Sequence, residues 1–181
     1  INQDIKHAFR LASAENMDFI KDESIDTYVS SLCIHMVPDE KKFLQEAKRI
    51  LRKGGKIGLS VPTRYDGFIA LLMRNFQKAG WKSTFPRDPF SLGYREKMIE
   101  LLQANGFEVK YCWDDHFKST FEDSDVDFQL NYGEGKEAFA TLDEEKKKEV
   151  RESLLKEFRE LKKNFAPLQM KLVLIVAQKP L

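Results

Sequence analysis

The stretch from Ile25 to Pro62 constrains this chain more than any other. A β-branched and aromatic run, Ile25-Asp-Thr-Tyr-Val-Ser-Ser-Leu32, predicts a buried strand. A helical pattern follows, with Phe43, Ala47, Ile50 and Leu51 at i, i+4, i+7 and i+8. Asp39 is placed to cap that helix; acidic Asp39 and Glu40 open it, and Lys48, Arg49, Arg52 and Lys53 close it, as the helix dipole favours. Gly54-Gly55 predicts the stop, and Ile57-Gly-Leu-Ser-Val61 a second strand ended by Pro62. Strand, helix and strand in so short a span form a βαβ unit. Such a unit requires parallel neighbours, so the chain is expected to build an α/β sheet.

The rest of the chain extends that pattern. A helix is expected over Asp66–Ala79, with Phe68, Leu72 and Phe76 on one face, then an irregular connection from Gly80 to Leu92. Another helix runs from about Tyr94 to the stop at Asn105-Gly106, and Phe107–Trp113 reads as a third strand. Thr141-Leu-Asp-Glu144 has the form of a capping box. It would open a long helix with Val150, Leu154, Leu155, Phe158 and Leu161 inside and a solvated face of Lys and Glu outside. Leu168–Gln178 is the last strand, apolar at its centre.

At 181 residues the chain is long enough for one domain with a buried core. A net charge of +1 gives no field toward nucleic acid or an anionic membrane. The longest apolar stretch, Leu172–Ala177, is far short of the roughly 20 residues needed to span a bilayer. Cys33 and Cys112 are too few for a disulfide framework, which makes a reducing, cytoplasmic setting the expectation. Cys33, His35, Cys112 and His116 lack the spacings usual in zinc sites, so no metal is expected. No Gly-x-Ser-x-Gly elbow, P-loop or His-Glu-x-x-His occurs, and the common hydrolase, kinase and metalloprotease chemistries drop out.

Four stretches, in register over nearly the whole chain, carry a resemblance. Ser13-Ala-Glu-Asn-Met-Asp-Phe19 resembles the loop after a third strand usually written Asp-Ala-Glu-Asn-Leu-Pro-Phe. Ser24-Ile-Asp-Thr-Tyr-Val-Ser-Ser-Leu-Cys-Ile-His-Met-Val-Pro-Asp39 resembles a fourth strand and its turn. Ile50-Leu-Arg-Lys-Gly-Gly-Lys-Ile-Gly-Leu-Ser-Val-Pro62 resembles a helix end, Gly-Gly turn and fifth strand. The tail has a helix ending in Asn-Gly-Phe, a strand, a helical insertion and a last strand running into Gln178-Lys-Pro. The family is that of the class I S-adenosylmethionine-dependent methyltransferases, in the ubiquinone and menaquinone biosynthesis-like (methyltransferase type 11) branch.

The resemblance implies a Rossmann-like sheet, mostly parallel with an antiparallel last strand, and a helical lid built from inserts at residues 64–92 and 117–165. It implies S-adenosylmethionine as cofactor. Ser13, Ala14 and Glu15 would lie along the adenine edge, with the Ala14 backbone facing the ring; Ser13 stands where the family pattern has Asp. Ser30, Ser31 and Leu32 would end the central strand, Ser31 beside the amino group of the cofactor's methionine part. That is where open α/β sheets bind ligands. His35 and Tyr65 are the candidate catalytic or substrate-contacting residues, His35 because imidazole titrates near neutrality. Phe68, Phe85, Phe90, Phe117, Phe121 and Phe128 lie in the inserts and suggest a small apolar or aromatic acceptor.

The family's Asp-x-Gly-x-Gly-x-Gly loop and its ribose-binding acid have no counterpart here, and Ala8–Ala12 is the only room for a third strand. An upstream segment carrying the N-terminal strands is therefore expected, without which a sheet edge and an apolar face would stand uncovered. A non-catalytic methyltransferase-like interaction module is the alternative reading, and a homo-oligomer is left open.

Overall fold

The computed structural model describes residues 9–63, 68–82, 88, 90–119, 122–133, 135–163 and 168–181. Its elements run β1 (Ile25–Ser31), α1 (Glu40–Ile50), β2 (Leu51–Pro62), α2 (Phe68–Lys78), α3 (Arg95–Ala104), β3 (Glu108–Ser119), α4 (Asp123–Asn131), α5 (Lys136–Ala140), α6 (Glu144–Lys163) and β4 (Leu168–Gln178). The sheet order is β1-β2-β4-β3. β1 and β2 are parallel, while β4 lies antiparallel between β2 and β3. Three strands thus point one way and the last strand the other, as the sequence leads one to expect. This is the arrangement that the resemblance implies.

The alternation of β2 explains the main core. Ile57, Leu59 and Val61 face α1 and α3, where Phe43, Leu44, Ala47, Met98 and Leu102 meet them. Val173, Ile175 and Ala177 of β4 complete the layer. Each fully buried side chain of this size contributes about 1.5–3 kcal/mol over leaving it in water. On the opposite face Val29, Tyr111 and Trp113 remain exposed. A shallow depression of about 280 Å³ crosses that face between Val29, Gly58, Trp113 and Val176.

Three local expectations are corrected. Gly54-Gly55 does not separate helix from strand; α1 ends at Ile50, Leu51 is already extended, and the pair lies inside β2. Ile25 pairs with Leu51 but Thr27 with Lys56, so β2 bulges between those points. Glycine is needed there: Gly54 has φ of +74°, and a Cβ on Gly55 would sit 2.8 Å from the Arg52 carbonyl and 3.2 Å from that of Asp26. Thr141 does not cap the long helix. Its hydroxyl donates to the Ala138 carbonyl at the end of α5, and Asp143 accepts from the Lys146 amide instead. Finally, residues 9–12 form no strand and lie exposed, while Ala8 falls outside the described residues.

A second core, separate from the first, joins α2, α4 and α6 through Leu72, Phe76, Val126, Leu130, Leu154 and Phe158. Asn75 is buried within it; it donates to the Leu71 carbonyl (2.9 Å) and to Glu157 (3.3 Å) and accepts from the Ser153 hydroxyl (2.5 Å). Among the described residues no helix is long and apolar enough to cross a membrane.

Candidate functional site

The parallel register sets Ser31, the last residue of β1, opposite Ser60, two residues before the end of β2, so two hydroxyls meet near the carboxyl edge of the sheet. The two Oγ atoms lie 2.9 Å apart. The Leu32 amide donates both to the Ser60 carbonyl (3.1 Å) and to its Oγ (3.2 Å). Leu32 itself is left-handed, with φ of +52°. A non-glycine residue held there carries about 1–2 kcal/mol of steric cost. Ser60 therefore bolts an unfavourable turn to the neighbouring strand at the place where this sheet type binds ligands. Ser30 and Ser60 are buried, while Ser31 and Leu32 reach solvent. On β1, Tyr28 packs on Phe43. Burial, aided by the nearby Cys33, pushes its hydroxyl up to about 12 against a hydrogen bond with Ser30.

The loop before β1 is tightly turned. Ser13 bridges to Asn16, and the Glu15 amide donates to the Ser13 hydroxyl at 3.2 Å. Ala14 at its tip packs against the sheet core. Among the described residues no hydrogen bond engages the Ala14 amide or carbonyl. They are the paired donor and acceptor that a purine edge requires. The Glu15 carboxylate is occupied differently, accepting from the Asp39 amide at 2.6 Å. It thereby ties the loop to the start of α1, where Asp39 caps the Lys41 and Lys42 amides.

The strand-end group of Ser30, Ser31 and Leu32 thus meets Ser60 of β2, and the loop group of Ser13, Ala14 and Glu15 is anchored on α1. His35 lies in the turn after β1 with 9% of its surface exposed. Tyr65, Phe85 and Phe121, with the side chain of Phe117, lie outside the described residues. Sequence reading missed three residues. Ser60 was legible as the small polar residue that parallel pairing must set beside Ser31. Arg49 and Glu46 were less so. Their charges suit any helix, whereas here Glu46 accepts from the Met17 amide and Arg49 donates to the Met17 and Ile20 carbonyls.

Residues 2–59 match the type 11 methyltransferase family, described as a methyltransferase domain. Over that stretch, about a third of its length, the chain is similar to that family. It is 31% identical over 136 residues to an uncharacterised protein of Methanocaldococcus jannaschii, covering 75% of this chain and 62% of that protein. The chain therefore spans less than two thirds of that curated relative. Among solved structures, an S-adenosylmethionine-dependent methyltransferase of Methanosarcina mazei superposes with a TM-score of 0.53 at 16% identity, over 97% of this chain and 68% of that one. A candidate methyltransferase from an antibiotic biosynthesis pathway of Anabaena variabilis gives 0.59 at 20% identity, over 91% and 71%. The [4+2]-cyclase SpnF gives 0.52 at 14% identity, over 96% and 56%. These likenesses define the fold; a cyclase among them means the fold alone does not dictate the reaction.

Proposed function

We propose that this protein transfers a methyl group from S-adenosylmethionine to a small apolar or aromatic acceptor. The carrying observation is the carboxyl edge of the sheet, where Ser31 and the left-handed Leu32 are bolted to Ser60 at 2.9 and 3.2 Å. When bound, the cofactor supplies an electrophilic methyl on sulfonium, and in-line displacement leaves positioning as the main task of the protein. Ala14 presents its backbone pair to the purine. Ser31 offers its hydroxyl to the ammonium of the methionine part. His35 and Tyr65 are assigned to the acceptor side, where His35 orients a hydroxyl or amine or takes its proton. Support for an apolar or aromatic acceptor comes from the helical layer, which we read as the lid. There Phe128 and Tyr132 pair at 6.0 Å between ring centres and remain exposed. A cytoplasmic setting fits the free thiols of Cys33 and Cys112.

The test is calorimetric titration of S-adenosylhomocysteine into the full-length protein and its Ser31→Ala variant. Binding that weakens about tenfold in the variant, the size of one lost charge-assisted hydrogen bond, is the expected result. No binding by the parent protein overturns the enzyme reading and favours a methyltransferase-like interaction module.

A further inference from the structure

Arg49 is the most heavily engaged side chain among the described residues, and all its partners lie in one loop or on its own helix. Nη1 donates to the Ile20 carbonyl (2.8 Å) and to the Asp22 carboxylate. Nη2 donates to the Met17 carbonyl (3.0 Å) and to Glu46 Oε1 (2.6 Å), and Nε donates to Glu46 Oε2 (2.8 Å). Glu46 Oε1 also accepts the Met17 amide at 2.6 Å, so both backbone groups of Met17 are held. The Met17 side chain is buried. The contact with Glu46 is bidentate, a geometry the planar guanidinium can adopt and an ammonium cannot.

The consequence lies three residues upstream. Ala14 and Met17 sit on the same short turn, closed by the Ser13–Asn16 bridge and anchored again where Glu15 takes the Asp39 amide. With one end fixed to the start of α1 and the other to its third turn, the tip at Ala14 has a defined height above the sheet. We infer that Arg49 and Glu46 form a positioning clamp that presents the Ala14 backbone to the purine and so sets discrimination between adenine and other purines. The inference rests on the cofactor reading above. Hypoxanthine reverses the donor and acceptor of adenine at the edge that a backbone amide and carbonyl would read. A rigid loop should therefore reject it, because a mismatched buried pair leaves polar groups unsatisfied. A loose loop can adjust and accept both.

The experiment pairs a ligand-free readout with a ligand-dependent one on the full-length protein. Amide hydrogen exchange reports the order of residues 13–20, and titration compares S-adenosylhomocysteine with its inosine analogue. For Arg49→Ala, the Met17 amide should lose protection, S-adenosylhomocysteine affinity should fall about tenfold, and the preference over the inosine analogue should shrink by a similar factor. Arg49→Lys should not rescue either effect. Glu46→Gln, which keeps an acceptor for Met17 but loses the charge, should fall between, and it carries the test if Arg49→Ala does not fold. Unchanged exchange in the variants overturns the clamp itself. Lost protection with undiminished discrimination overturns its role in reading the purine, leaving a merely structural bolt. Failure of the parent protein to bind S-adenosylhomocysteine overturns the cofactor reading, and with it the assignment of this loop.

Discussion

The sheet end and the helical layer are stabilised by different means. Around the sheet, apolar alternation supplies the core, and the polar groups reach long distances in sequence to fix loops: Arg49 to Met17 and Ile20, Ser60 to Leu32, Glu15 to Asp39. In the helical layer, the charged groups pair helix to helix on the outside. Arg151 meets Asp127 and Arg159 meets Asp123 at 2.6 Å, while Glu157 receives Lys78 and Arg74 at 2.9 Å. Exposed pairs of this kind contribute about 0–1 kcal/mol each. The helical layer therefore depends on its own apolar core and on Asn75. The sheet end invests polar groups in position, which suits a ligand site, whereas the helices invest theirs in solvated surface.

Large core deletions should break the molecule along this division. Phe43 and Phe158 are both fully buried, one in each core. Phe→Ala at either site should cost about 3–5 kcal/mol. Hydrogen exchange should then open different elements. Phe158→Ala should release amides of α2, α4 and α6 while β1 and β2 stay protected, and Phe43→Ala should do the reverse. If either variant opens both sets together, the two cores are one cooperative unit and the comparison fails.

Asn75 sharpens the contrast at the next scale down. Asn75→Ala leaves the Ser153 hydroxyl without its acceptor and takes one donor from the Glu157 carboxylate, so a loss of about 1–3 kcal/mol is expected in urea unfolding. Arg159→Ala removes a half-exposed pair and should lose no more than about 1 kcal/mol. Equal losses would mean that the rim charges matter to this layer as much as its interior.

Much of the sheet was legible because period-two and helical patterns answer directly to burial. Phe43, Ala47, Ile50 and Leu51 were readable at i, i+4, i+7 and i+8, and all are fully buried. Leu168–Gln178 emerged with its expected bounds because its apolar centre, Leu172–Ala177, is paired on both sides, by β2 and by β3. What escaped depended on contacts that the local pattern does not encode. The Gly-Gly pair looked like a helix stop, yet its need for glycine arises in the bulge of β2, where Gly54 has a positive φ and a Cβ on Gly55 would meet the Arg52 carbonyl and, across on β1, that of Asp26. Thr141 had the capping spacing, but α5 claimed its hydroxyl first. The short helices α4 and α5 show too little periodicity to stand out, and their order comes from packing on α2 and α6. For the proposed site, the resemblance pointed to the strand end and the loop. It did not reveal that Glu15 would be spent on the Asp39 amide, because a carboxylate beside a helix start can serve a ligand or the helix equally well.

The smallest predicted effect concerns acid, and it separates that helix start from the charges of the helical layer. Asp39 accepts from the Lys42 amide at 3.1 Å and the Lys41 amide at 3.0 Å. The Lys42 bond, with the Lys41 bond behind an opposing contribution from burial, holds its carboxyl below the ordinary carboxylate value. A depressed folded value means that this stabilisation is fully present above the unfolded pKa of about 4 and is lost as pH falls through the folded one. Asp127, held low chiefly by the hydrogen bond from Arg151, follows the same sign in the helical layer. So does Glu157, where bonds from Lys78 and Arg74 outweigh the raising effect of burial. Acid should therefore weaken both regions, and the wild-type slope alone cannot tell them apart. Asp39→Asn keeps a capping acceptor but cannot titrate. Its urea midpoint should fall less steeply than that of the parent below about pH 4, with exchange at the Lys41 and Lys42 amides flattening in parallel. Because the Asp39 amide holds Glu15, fraying of this turn in the parent should also expose residues 13–16 to exchange at low pH. An unchanged acid slope in Asp39→Asn would mean that the start of α1 is not where acid enters the sheet end, and that its loop is held by the Arg49 side alone.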